Sequence, residues 1–273
     1  MFVSSNNERF TFDTAGKLTH WANTQGQSYQ LANSGSQIAV TDNLGNSLTF
    51  TEDADHQPLS LSAPGVQITY SYNANNRLAS VNRTVGGQTT QRLYHYEVSG
   101  KPDLLTGITD ELGIRYATWA YDDQGRAISS EHADGTDRVT VAYNSDGTAS
   151  VTNELGKVAK YSFQTIRGVR RITAIEGEPS PNCPSSNSTF TYDERGLLKT
   201  KIGNKGILTT YDYNERGLEV SRTEASGTPQ ARTITTTWHP EWFLPTTVTE
   251  PDRITQYTYD NQGRQTSQSV IQR

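Results

Sequence analysis

Tyr121-Asp122-Asp123-Gln124-Gly125-Arg126 returns, slightly altered, as Tyr192-Asp193-Glu194-Arg195-Gly196-Leu197-Leu198 and as Tyr259-Asp260-Asn261-Gln262-Gly263-Arg264. Phe12-Asp13 ahead of Gly16 is a fourth instance. Tyr72-Asn73 ahead of Asn76, Tyr143-Asn144 ahead of Gly147 and Tyr213-Asn214 ahead of Gly217 are variants with Asn for Asp. Between these stands a second glycine-centred signal: Thr41-Asp42-Asn43-Leu44-Gly45, Thr109-Asp110-Glu111-Leu112-Gly113 and Thr152-Asn153-Glu154-Leu155-Gly156. Tyr121 to Tyr143 is 22 residues and Tyr192 to Tyr213 is 21. Self-similarity at such a period marks a chain built from one small unit copied many times.

The spacing of the turns identifies the unit. Gly16 to Gly26, Gly125 to Gly135 and Gly196 to Gly206 are ten residues each, and Gly206 to Gly217 is eleven. That leaves room for a strand of about six residues and a short turn, and none for a helix with two connections. Side chains alternate with period two, as strands require, at Ile68/Tyr70/Tyr72, Ala117/Trp119/Tyr121, Val139/Val141/Tyr143 and Ile234/Thr236/Trp238. The Asp or Asn after the aromatic can accept backbone N–H bonds two residues on. Glycine then fills the left-handed position of a type I turn with a bulge. Asn76 can stand in for it, Asp55 is a poorer substitute, and Trp238-His239-Pro240-Glu241-Trp242 demands a different turn. The expected fold class is all-β: a single long curved antiparallel sheet of repeated hairpins.

Composition agrees. With 273 residues, 33% hydrophobic and a mean hydropathy of −0.70, the chain is too polar for a sandwich with two apolar inner faces. The 14 tyrosines argue against disorder, which is aromatic-poor. A net charge of −5 offers no nucleic-acid footprint, and the cluster Arg167, Arg170, Arg171 reads as a solvated face or edge protection. No apolar run is long enough to span a membrane, and residues 1–7 lack the pattern of a signal peptide. Three prolines in Glu176 to Asn187 interrupt the rhythm, because proline cannot join a ladder. The expected organisation is one array over 1–273 with a proline-rich loop or seam at about 176–188; Ser99 to Asp103 is a weaker break.

The chain offers little that could carry chemistry. The five histidines are scattered and Cys183 is alone, so neither a zinc site nor an internal disulfide is expected, and no cofactor or metal is. Cys183 reads as incidental. The acidic pairs Asp122/Asp123, Asp110/Glu111 and the group Glu52-Asp53-Ala54-Asp55 recur at turn positions, as turn-formers do, whereas a hydrolytic pair of carboxylates would stand outside the period. No enzyme is expected. Each Tyr-Asp pair reads first as structural.

The alternation of Tyr-Asp-x-x-Gly-Arg/Leu with Thr-Asp-x-x-Gly over nearly the whole chain resembles the RHS, or YD-repeat, family. That resemblance implies a ribbon of hairpins spiralling into a hollow shell, which in bacterial members encloses a C-terminal toxic domain. It therefore implies a secreted or cell-surface protein, with a toxin or effector domain as cargo or further repeats of the same shell as partners. Family repeats have also been associated with carbohydrate. About eleven two-strand units at roughly 4.8 Å per strand make about 105 Å of ribbon, or one ring about 33 Å across. The expectation is thus a partial shell: a fragment or a short stand-alone member. Its open first and last strands invite edge-to-edge self-association. The alternative is a glycan-binding module in which Trp21, Trp119, Trp238 or Trp242 stacks on sugar rings; Trp242 is the one out of ladder phase. A propeller is a third arrangement, but it needs every second unit to differ.

Overall fold

The computed structural model describes residues 1–4, 6–177 and 187–273. Among them are 25 strands in one sheet and one short 3-10 turn, Ala133–Gly135. The chain is all-β, and strands pair antiparallel with their neighbours in sequence: Arg115–Tyr121 with Ala127–His132, for example, and Leu208–Tyr213 with Glu219–Glu224. Such hairpin-to-hairpin order uses only local contacts, which is why a small repeated unit can specify it. By contacts the chain divides into two units, Met1–Ser4 with Glu8–Thr140, and residues 6–7 with Val141–Arg273.

The sheet has little core. Ala117 and Ala149 are the buried apolar residues, and no large side chain among the described residues is sealed from solvent. The accessible surface is 17257 Å², against about 11,700 Å² for a compact monomer of this mass. A single wetted layer accounts for both facts, and the two-layer sandwich is excluded.

The two glycine signals fall at opposite ends of the strands. The tyrosine turns join Val66–Tyr72 to Leu78–Val85, Arg115–Tyr121 to Ala127–His132 and Ser188–Tyr192 to Leu198–Ile202. The Thr-Asp-x-Leu-Gly turns join the next strand pairs, so the alternating period is the alternation of the two ends. Leu44, Leu112 and Leu155 stand at the tips of this second set, 77–83% exposed.

The predicted turn is present, with a bulge. Register shifts lie between Thr11/Phe12, Ser71/Tyr72, Ala120/Tyr121, Thr191/Tyr192, Asp212/Tyr213 and Thr258/Tyr259. Gly125 and Gly196 have φ of 79° and 83°, and Asn76 has 57°, the left-handed region that glycine and asparagine tolerate. Near residue 55 the expectation needs correction. His56, not Asp55, takes the left-handed position (φ 61°), because Asp53 is the acceptor three residues earlier, bonding the N–H groups of Asp55 and Gln57.

Two corrections concern the breaks. Glu176 and Gly177 belong to the strand Val169–Gly177, paired with Lys160 and Ala159, and Ser188 already opens the next strand against Ile175. The proline-rich remainder, with Cys183, lies outside the described residues. Arg167 is no strand-face residue: with Gly168 it forms a two-residue turn, both at positive φ, between Ile166 and Val169.

Candidate functional site: the tyrosine turn and its cross-links

Each part of the repeated motif has a separate bonding role. The aspartate holds its own turn. In Tyr121–Arg126 the Asp122 Oδ1 accepts the N–H of Gln124 (3.0 Å) and of Arg126 (2.9 Å), while Asp122 N–H donates to Arg126 O and Gly125 N–H to Asp122 O. Asp260 repeats this with Gln262 and Arg264. The arginine after the glycine returns to the same carboxylate: Arg126 Nε to Asp122 Oδ2 at 2.7 Å and Arg264 Nε to Asp260 Oδ2 at 2.6 Å. Backbone N–H groups first, and these guanidinium groups besides, hold the Asp122 and Asp260 carboxyls below their ordinary range.

The tyrosine ties its turn to the preceding hairpin. The hydroxyls of Tyr72, Tyr121, Tyr192 and Tyr259 donate to the carbonyls of Pro58, Leu105, Ile172 and Pro245, each at 2.7 Å. Trp238 replaces the tyrosine in its repeat and does the same through Nε1, 2.8 Å from Glu219 O. Burial raises the pKa of Tyr72, Tyr121, Tyr213 and Tyr259, which keeps the phenol a donor.

Turns are also tied to one another. In the first unit Gln57 Nε2 donates to Asn76 O, and Arg77 pairs with Asp103. Lys101 Nζ donates to Asp122 O and Asp123 O. In the second unit Arg170 reaches Gly147 O, and Arg195 reaches Asn214 O at 2.7 Å. Arg216, at the same place in its turn as Arg195, donates to the carbonyls of His239 (2.6 Å), Pro240 (2.8 Å) and Trp242 (2.9 Å).

A third device escaped the sequence reading. The residue just before the aromatic shares a hydroxyl–hydroxyl bond with the residue nine positions later: Ser71 with Ser80, Thr191 with Thr200, Thr237 with Thr246 and Thr258 with Ser267, at 2.6–2.9 Å. The signal was legible as Ser or Thr at both ends of that spacing.

The break at residues 96–106 is an ordered strap. Glu97 accepts from Arg115 Nη2 (2.9 Å) and from the Thr106 hydroxyl (2.8 Å); Arg115 foremost, then Thr106, draws its pKa down to about 2. Arg115 packs over Gly107, where a Cβ would lie 2.1 Å from Nε. His95 Nε2 shares a hydrogen bond with the Thr109 hydroxyl at 2.8 Å, and desolvation, then Arg115, lowers its pKa. The Thr106 hydroxyl donates to Glu97, and a carboxylate whose pKa is held at about 2 is too weak a base to take its proton near neutral pH.

The sequence candidates are thus distributed along the sheet, not gathered into a pocket. Among the described residues no cluster of His, Cys, Asp or Glu could hold a metal ion, and no helix is long and apolar enough to cross a membrane. A cleft of about 590 Å³ lined by Lys201, Tyr211, Arg222 and Glu224 holds a single carboxylate, not the opposed pair of a glycosidase. Trp242 lies in the expected odd turn, with His239 stacked on its ring at 4.3 Å.

Residues 192–229 match the family model for the RHS repeat. No curated protein matches the sequence. Among solved structures, TcdB2-TccC3 with Cdc42, and TcdB2-TccC3 without its hypervariable C-terminal region, each align at TM-score 0.50 and 12% identity. Each alignment covers 98% of this chain and 14% of that one, so the chain spans about a seventh of their length. At this identity the likeness speaks for the fold. By its repeat at 192–229 and by the single hairpin sheet around it, the chain carries the RHS, or YD-repeat, architecture.

Proposed function

We propose that the chain is a non-catalytic stretch of wall in a β-shell, and that the shell encloses a toxin or effector domain. One observation carries the reading: the repeated polar side chains of the tyrosine turns are spent on holding backbone in place. Tyrosine hydroxyls, turn aspartates and cross-turn arginines leave few functional groups free, and together they resist local opening of a layer that has little apolar core. Exclusion is the mechanism such a layer can perform. The RHS repeat and the fold shared with TcdB2-TccC3 support the shell, and the hypervariable C-terminal region named for that protein is the kind of segment a wall would hold. An enclosed toxin would place the protein outside the cell or at its surface.

The test is limited proteolysis of the native assembly from producing cells. A non-repeat domain should survive while the sheet is folded and be cut once the sheet is unfolded. Equal digestion rates in both states would reject the wall.

A further inference from the structure

The turn at 239–244 differs from the aspartate turns in two ways, and both converge on one contact. Its loop is a residue longer: His239 N–H donates to Leu244 O at 2.8 Å, where Asp122 N–H reaches Arg126 O. An imidazole also does the work of a carboxylate, since His239 Nδ1 accepts the N–H groups of Glu241 (3.2 Å) and Trp242 (3.3 Å). Phe243 is then free to bond elsewhere. Its N–H donates to Asn7 Oδ1 at 2.8 Å, and its carbonyl accepts from Asn7 Nδ2 at 3.3 Å. The carboxamide thereby imitates the double bond exchanged by paired antiparallel residues. Asn7 is buried, at 9% exposure, and sits at φ 60°.

We infer that this turn is an acid-sensitive latch: protonation of His239 opens it and releases Asn7. Nδ1 accepts only while it carries no proton. A proton there strands the N–H groups of Glu241 and Trp242, and adds positive charge to a turn whose His239 and Pro240 carbonyls already accept from the Arg216 guanidinium. Arg216 also lies over the Phe243 ring at 5.1 Å. Glu241, on the turn itself, and Glu215, beside Arg216, are the nearby acids in sequence; Asn7 is uncharged. An aspartate would hold the turn throughout pH 5 to 8, whereas histidine is the side chain that changes charge in that range.

The experiment is an NMR titration of the whole chain from pH 8 to pH 5. The Phe243 amide and the Asn7 side-chain resonances should move with the His239 ring at one shared midpoint. His239→Asn supplies a non-titrating acceptor and should abolish the response. Asn7→Ala at pH 8 should weaken exchange protection of the Phe243 amide about tenfold while the His239 turn stays closed. Asn7 and Phe243 signals that stay fixed while His239 titrates, or a pH response unchanged in His239→Asn, would overturn the latch. If His239→Asn does not fold, the wild-type midpoints and Asn7→Ala decide alone.

Discussion

At the residue scale, the tyrosine hydroxyl is what distinguishes this repeat from a plain hairpin meander. Period-two alternation set Tyr121 in phase with Ala117 and Trp119, but alternation cannot say whether ring or hydroxyl matters. The structure gives the hydroxyl a partner, Leu105 O at 2.7 Å. Tyr121→Phe keeps the ring and strands that carbonyl, so it should cost about 1 kcal/mol, measured by urea denaturation. Tyr116→Phe is the control. Tyr116 is 52% exposed and meets the His132 ring at a tilt of 50° through its own ring, so its change should fall within about 0.5 kcal/mol. Equal losses at the two sites would leave the hydroxyl without the role given to it. Gly125, at φ 79° with only side-chain tips near an added Cβ, isolates the backbone term: Gly125→Ala should destabilise by about 1 kcal/mol through strain alone.

At the element scale, the turns were the most legible part of the chain and the links between turns the least. Asp, Asn and Gly report local conformation, so the sequence identified the bulged turn and even the odd one at Trp242. It misjudged residue 55 because the acceptor role of Asp53, three residues before His56, looks the same as any acidic run. Arg195 and Arg216 were invisible as cross-links, since their partners are backbone carbonyls of the next turn and carbonyls have no sequence signature. Arg216→Ala removes three such bonds and should loosen 239–244 selectively, read as lost exchange protection at Phe243 with protection at Gly125 unchanged. The strap at 96–106 allows a sharper test. Gly107→Ala puts a methyl where Arg115 lies, forcing the guanidinium off Glu97. The Glu97 carboxyl should then titrate well above its present value of about 2, followed by carbon NMR; an unmoved titration would mean that Arg115 does not set it.

At the scale of the molecule, a sheet with so little core should answer to acid more sharply than a greasy domain would. Hydrophobic burial is insensitive to pH, whereas many of the bonds that hold these turns are carboxylate bonds, the turns of Asn73, Asn153 and Asn214 being held by amides instead. Asp122 and Asp260, bonded by backbone N–H groups, and Asp42, bonded chiefly by the Asn46 side chain, have pKa values below their ordinary ones. Glu97 and Asp146 are drawn down to about 2, by Arg115 and by the Thr148 hydroxyl respectively. A folded-state pKa below the unfolded one means the folded chain binds fewer protons. The stability this contributes is present above the unfolded carboxylate pKa and is lost as pH falls through the folded one. The window therefore runs from about pH 4.5 down to about pH 2. Because hairpin contributions in a repeat protein are roughly additive, many modest losses should accumulate into one steep decline. Thermal melts followed by circular dichroism should show a shallow fall in Tm below about pH 6.5, where His95 with its lowered pKa binds protons more readily in the unfolded chain. A steeper, continuous fall should follow below about pH 4.5. Glu97→Gln should flatten part of that fall, since an amide has nothing to protonate. A sheet as stable at pH 2.5 as at pH 6 would show that the turn carboxylates, for all their regularity, do not hold it together.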